Sequence, residues 1–360
     1  GAWASLLTLF AQTRDPVSGA ASISAFAVPL DGEGVVIETE ALTMGLRGMV
    51  QNHVRLHYSV VQPHGLLGQV GQGMAIAQQA LNVGRLMLAA KSIGATGHCL
   101  QLMIRYAQQR QVATGRLLDN PVIRSWIGDL SARMQAAQCL AWQLGRDIDL
   151  GVAVPQEVIF ALKNAAVDTL WDSADLALQT LGGRGYMENN ILPQILRDAR
   201  TMRISEGPTE TLNMAIGATL VNAGEPLFEF MRGQLGTAAL VQQLQDAVEP
   251  LLLRLGVSQD EGSLPDGNKA DGNKVDSNVA DGQHGGFDSP QASLNWAYAL
   301  LGQTATSALL LAALEHECAQ AVRLGLSEEH ARLLPAIRCL QAQFAARLRD
   351  VQQAGAAEVA

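Results

Sequence analysis

The chain has 360 residues, 48% of them hydrophobic and 16% charged, so it can bury a large core and is neither a disordered nor a fibrous sequence. Its formal net charge of −9 does not supply the cationic surface that a phosphate backbone demands, which excludes nucleic acid as an expected partner. Cys99, Cys139, Cys318 and Cys339 stand singly in apolar, helix-like surroundings without a C-x-x-C pair, which points to a reducing compartment and away from a metal such as zinc. No signal-peptide pattern opens the sequence and no apolar run reaches the ~18 residues of a membrane span, so a cytoplasmic location is expected.

Residues 1–66 read as strands. Trp3 to Gln12 is mostly apolar, Thr13 to Ala20 is a turn rich in Asp, Pro, Ser and Gly, and Ser22 to Leu30 alternates in part with period two. Val35 to Glu40, Arg47 to Gly48 and Val54 to Val61 continue the pattern, and together they resemble the later part of a β-domain.

From Gly71 the period becomes helical. Ile93, Leu100, Ile104 and Ala107 mark one stripe, Ile123, Ile127, Leu130, Met134 and Leu144 a second, and Val158, Leu162, Leu170 and Leu176 a third. Pro121 and Pro155 sit at expected helix starts, and a further helix follows Pro208. Four helices joined by short loops predict an antiparallel bundle over residues 67–223, so the fold class is mainly α, with a partial β-domain before the bundle.

Residues 224–257 predict a connecting helix. Residues 258–290 carry seven Asp/Glu against two Lys and almost no large apolar side chain, the composition of a disordered acidic linker. A calcium loop in that D-G-N-K near-repeat fails, because Ala270 takes the fifth ligand position from Asp266 and no Glu closes the loop. Residues 291–360 predict a small helical-hairpin appendix. A packed hairpin is preferred for it over a membrane-touching one.

The run Gln179 to Thr211 carries the chemistry: Q-T-L-G-G-R-G-Y, then R-D-A-R, then the Glu206-Gly207 dipeptide before the next helix. These three elements, in this order, resemble the C-terminal signature of the flavin-dependent acyl-CoA dehydrogenases. M-G-L-R-G at 44–48, G-Q-V-G-Q-G-M at 68–74, A-L-N-V-G-R at 80–85 and R-Q-V-A-T-G-R at 110–116 fall where that family has counterparts. The resemblance covers about residues 1–223, roughly the second half of such an enzyme, and implies a middle β-domain followed by a four-helix domain. It also implies that an N-terminal helical domain and the early β-strands lie outside this chain.

Dehydrogenating an acyl thioester needs a base for the α-proton, a hydride acceptor at the β-carbon and donors for the charge that develops on the thioester oxygen. An acid at a helix start is, taken alone, an ordinary solvated charge. Inside the signature Glu206 becomes the candidate base, with Gly207 leaving room for a ligand to approach the backbone. The position at which some relatives place the base instead is Gly84, which cannot serve. The resemblance further implies that the Glu206 N–H binds the thioester oxygen and that Arg85 lies near the acyl-CoA path. It implies FAD contacts from Arg110, Gln179, Gly182 and Gly183 across a subunit interface, and from Thr209 or Glu210 on the adenosine side.

The expected activity is FAD-dependent α,β-dehydrogenation of an acyl thioester by a homodimer or homotetramer that hands electrons to an electron-transfer flavoprotein. An acyl-CoA oxidase and a dehydrogenase of acyl-carrier-protein thioesters are the alternatives on the same fold. An inactive DNA- or protein-binding relative is the alternative of another class: L-L-D-N-P-V-I-R at 117–124 is similar to an offshoot linked to alkylation damage. DNA binding of that kind needs a basic C-terminal surface, whereas residues 224–360 carry 9 Lys/Arg against 17 Asp/Glu.

Other motifs read as structural. Arg197, Asp198 and Arg200 form an expected ion-pair cluster fixing the loop before Glu206. The order G-x-x-G-x-G at Gly68 to Gly73, with no βαβ unit after it, rejects a dinucleotide fingerprint. His53 and His57 have no third ligand beside them and read as surface or core histidines.

Overall fold

The computed structural model describes residues 2–14, 19–254 and 290–356; the expected acidic linker, residues 258–290, lies outside them except for its last residue. The chain divides into two units, Gly1–Gly84 and Arg85–Ala360.

In the first unit β1 (Leu6–Arg14) and β2 (Ala21–Pro29) form an antiparallel hairpin in continuous register from Leu6 opposite Pro29 to Arg14 opposite Ala21. β5 (Leu66–Leu67) adds to the other edge of β2, while β3 (Val35–Glu40) and β4 (Asn52–Leu56) pair separately. Residues 47–48, read above as a strand, fall in a turn. The glycines of the 68–74 stretch are packing devices: the Gly71 N–H donates to Ser24 Oγ at 2.9 Å, and a Cβ on Gly73 would stand 2.7 Å from Ile23 O.

The helices are α1 (Gly73–Gln109), α2 (Pro121–Asp149), α3 (Gln156–Leu181), α4 (Leu192–Met202), α5 (Thr209–Ala223), α6 (Glu225–Gly233), α7 (Ala238–Arg254), α8 (Pro290–Arg323) and α9 (Ser327–Ala356). A two-residue-stranded hairpin, β6 (Gln111–Val112) with β7 (Gly115–Arg116), joins α1 to the turn before α2. Local chemistry sets the ends. Asn120 caps α2 by accepting the Val122 N–H at 2.9 Å, with Pro121 in the first turn, and Gly151 at φ 72° follows its last residues. Pro155 and Pro208, expected as first helical residues, are instead the capping residues just outside α3 and α5, held extended at ψ 137° and 143°.

α3 is the central helix. Of its predicted stripe Val158, Leu162 and Leu170 are buried and Leu176 is half-buried; the polar side chains of Lys163, Asn164 and Ser173 are buried as well. One core cluster joins Cys99, Leu100 and Met103 of α1 to residues of α2, α3 and α4. A larger one joins α2 and α3 to α5 through α9.

The appendix read from residues 291–360 therefore has no core of its own. α8 packs lengthwise on α5 in an antiparallel crossing at which glycines stand in place of side chains. A Cβ on Gly217 would lie 1.9 Å from Tyr298 O, and one on Gly302 would lie 1.9 Å from Asn213 O. This crossing also corrects the reading of membrane-spanning lengths. Gln291–Arg323 is apolar and long enough to cross a bilayer by composition, but 72% of its most apolar window is buried against the rest of the protein.

Candidate active site

α4 ends at Met202 and α5 begins at Thr209, and the loop between them must reverse the chain in six residues. It does so by self-closure. The backbone carbonyl of Arg203 accepts from the Thr209 N–H at 3.1 Å and from Thr209 Oγ1 at 3.3 Å, while Ser205 donates through its N–H and hydroxyl to Thr201 O at 2.9 and 2.7 Å.

The reversal places two successive residues in the left-handed region, Glu206 at φ 58° and Gly207 at φ 97°. The second position is natural for glycine, whereas a side chain at the first costs on the order of 1–2 kcal/mol. That strain is offset from inside the bundle. Arg85 Nε donates to Glu206 O at 2.8 Å, and Lys163 Nζ donates to Gly207 O at 2.8 Å. Arg85 is 4% exposed and lies with its guanidinium carbon 4.5 Å over the Phe160 ring; Lys163 is fully buried. Burial lowers the basicity of both cations, Lys163 to about 8; Glu206 opposes the shift in Arg85, and Asp168 is the first to oppose it in Lys163.

One face of α3 supplies most of these anchors at helical spacing. Phe160 supports Arg85, Lys163 holds Gly207, and Asn164 Nδ2 donates to Thr209 O at 3.0 Å and to Asn213 Oδ1 at 2.9 Å. One turn on, Asp168 accepts from Arg203 Nε at 2.7 Å; desolvation raises this carboxyl's pKa and the guanidinium opposes the rise. The loop's ion pair is thus Arg203 with Asp168. In the expected Arg197, Asp198, Arg200 cluster, Arg197 instead binds the exposed Glu188, at 2.6 and 3.2 Å.

The outward side of the loop is left for a ligand. Glu206 and Gly207 are half-buried, and among the described residues the Glu206 N–H has no acceptor. A cavity of about 600 Å³ touches the anchors Asn164, Asp168 and Arg203, and Glu206 is not in its lining.

The structure brings Arg85, Glu206, Gly207 and Thr209 into one hydrogen-bonded cluster and leaves the other candidates outside it. Two of these residues serve the loop. Arg85 donates to Glu206 O and lies over the Phe160 ring, so it orients the loop. Thr209 is 3% exposed with its hydroxyl on Arg203 O, so it closes the loop and does not reach for an adenosine. Glu210 remains exposed in the first turn of α5.

Arg110 is exposed just beyond α1, and Gln179, Gly182 and Gly183 are exposed at the end of α3. In the G-G-R-G run the first two glycines face open space, with nothing within 4 Å of a built Cβ, whereas Gly185 packs with a built Cβ 2.5 Å from Leu178 O. Packing requires the last glycine, and the first two are free for a ligand. Sequence reasoning missed Lys163, Asn164, Asp168 and Arg203; α3 carries other polar residues, among them Glu157, Asp172 and Asp175, so the sequence does not single these out.

Changing Gly207 to Ala tests the loop geometry. At φ 97° the added Cβ is strained, and it would lie 3.0 Å from Leu212 Cδ2, a side chain that can give way. We expect a loss of about 1–2 kcal/mol, dominated by the backbone, read from denaturant unfolding.

Residues 71–221 match the family described as acyl-CoA dehydrogenase, C-terminal domain. These residues belong to the C-terminal domain family of the acyl-CoA dehydrogenases. An acyl-CoA dehydrogenase of Bacillus subtilis is 32% identical over 222 residues, covering 61% of this chain and 58% of the relative. The caffeyl-CoA reductase-Etf complex subunit CarC of Acetobacterium woodii is 30% identical over 213 residues, covering 59% of this chain and 56% of the relative. The chain thus spans a little over half the length of these curated relatives. Among solved structures, an acyl-CoA dehydrogenase complexed with FAD from Bacillus anthracis superposes with a TM-score of 0.71 over 99% of this chain and 62% of that chain, at 20% identity. That superposition takes in α8 and α9, so the helices after residue 290 share their fold with that solved structure.

Proposed function

We propose that this family member carries out FAD-dependent α,β-dehydrogenation of an acyl thioester, with Glu206 as the base. The observation that carries the reading is the backbone of Glu206: left-handed, braced by Arg85 and Lys163 on successive carbonyls, and with its own N–H unsatisfied. A carboxylate and an N–H of one residue then face one ligand. Glu206 takes the α-proton and holds it as a carboxylic acid, while its N–H donates to the thioester oxygen as negative charge builds there.

The residues present fit FAD: Gly182 and Gly183 offer unobstructed backbone, and exposed Gln179 and Arg110 offer an amide and a guanidinium for a pyrophosphate-bearing cofactor. FAD, when bound, supplies the acceptor for the β-hydride. Exposed positions of this kind suit a cofactor shared between copies, so a homodimer or homotetramer is part of the proposal. Electron-transfer flavoprotein is the proposed oxidant of the reduced enzyme; CarC belongs to a complex named for an Etf.

Anaerobic titration of the FAD-loaded protein with acyl-CoA thioesters of increasing chain length tests the reaction, because productive binding bleaches the flavin. No bleaching with any thioester would overturn it. Reoxidation by electron-transfer flavoprotein, and only slowly by oxygen, separates a dehydrogenase from an oxidase. Arg110→Ala is expected to lower the flavin-to-protein ratio while the fold and melting of the apoprotein stay unchanged, as gel filtration with absorbance at two wavelengths would show.

A further inference from the structure

A fully buried lysine is costly unless its charge is used, and the interior would accept an apolar side chain of the same volume at less expense. Lys163 is fully buried, and no carboxylate among the described residues lies within ion-pair distance of it. Among the described residues its hydrogen bond goes to a main-chain carbonyl, that of Gly207. The carbonyl before it, of Glu206, is held by Arg85, so the two peptide units that define the left-handed turn are each fixed by a buried cation. Lowered basicity at about 8 agrees with the burial, and either protonation state of the amine still donates to a carbonyl.

We propose that Lys163 is a positioning residue for the base, holding Gly207 O so that Glu206 stays in the left-handed conformation that aims its carboxylate at the thioester. The inference rests on the reading of Glu206 given above. Without the lysine, nothing on the α3 side holds the second peptide, and Glu206 relaxes toward an ordinary right-handed backbone, swinging its side chain away from the substrate. The effect is on orientation, so it falls on the chemical step and not on thioester binding.

The test is stopped-flow reduction of the FAD-loaded protein carrying Lys163→Met, which keeps the volume and removes the donor. The expected result is a flavin-bleaching rate lower by about 10- to 100-fold, with thioester affinity and flavin content close to the starting protein's. Lys163→Gln, whose amide still donates, should recover part of the rate. The Glu206→Gln/Lys163→Met double variant should be no slower than Glu206→Gln alone, because a residue that acts through the base has nothing left to position.

A wild-type bleaching rate in Lys163→Met, or a further drop in the double variant, would overturn the inference. So would failure of both Lys163 variants to fold, which would make the lysine a structural element. If Glu206→Gln itself bleaches normally, the assignment of the base falls first; if it is inactive while Lys163→Met is normal, the inference about Lys163 falls by itself.

Discussion

Glu206→Gln is expected to abolish thioester-driven bleaching of the flavin while FAD content, fold and thioester binding are retained. The substitution keeps size and an oxygen acceptor but removes the only role an amide cannot take, accepting a proton from carbon. General-base contributions of about 10² to 10⁴-fold set the scale of the loss. The backbone at 206 should survive, because the contacts that hold it go to the main-chain carbonyls of Glu206 and Gly207 and involve no carboxylate atom. Bleaching by stopped flow at saturating thioester checks the prediction, and an undiminished rate would move proton abstraction to another group.

The second large effect lies at the α5–α8 crossing. Alanine normally favours a helix interior over glycine by about 1 kcal/mol. At Gly302 that gain is swamped. The new methyl carbon would stand 1.9 Å from Asn213 O and 2.7 Å from its carbonyl carbon, and backbone atoms cannot rotate aside. The helices must separate, at a cost of about 1–3 kcal/mol or more for an overpacked core, and Gly217→Ala meets the same wall at Tyr298.

The damage should reach the active-site loop. Asn213 accepts from Asn164, which also holds Thr209 O at the loop's end, so a displaced α5 loosens the peptide segment that carries Glu206. Gly145→Ala in α2 is the internal control. It is exposed with nothing within 4 Å of a built Cβ, and should stabilise by about 0.5–1 kcal/mol. Denaturant unfolding of the three variants, with flavin reduction rates alongside, reads both effects. Equal stability changes at positions 145 and 302 would mean that α8 does not dock as described.

Local chemistry made much of the architecture legible. The hairpin of β1 and β2, the cap of Asn120 and Pro121 on α2, and the buried stripes of α2 and α3 follow from period, capping residues and turn residues within a few positions of one another. The two prolines placed one residue outside their helices, Pro155 and Pro208, show the limit of that reading. Proline fixes its own φ but is compatible with either side of a helix boundary, and the neighbours decide.

By itself, the sequence determined that a carboxylate and a glycine stand between two helices in an ordered flavoenzyme-like signature, and that helical periods run through residues 67–223. Tertiary structure alone decided which groups Arg85, Thr209 and Lys163 bind, because burial and partner depend on groups far along the chain. It likewise decided that the apolar run of α8 is core. An apolar helix of that length satisfies a bilayer and a protein interior equally well, and only the glycine-to-backbone approach against α5 shows which of the two it meets.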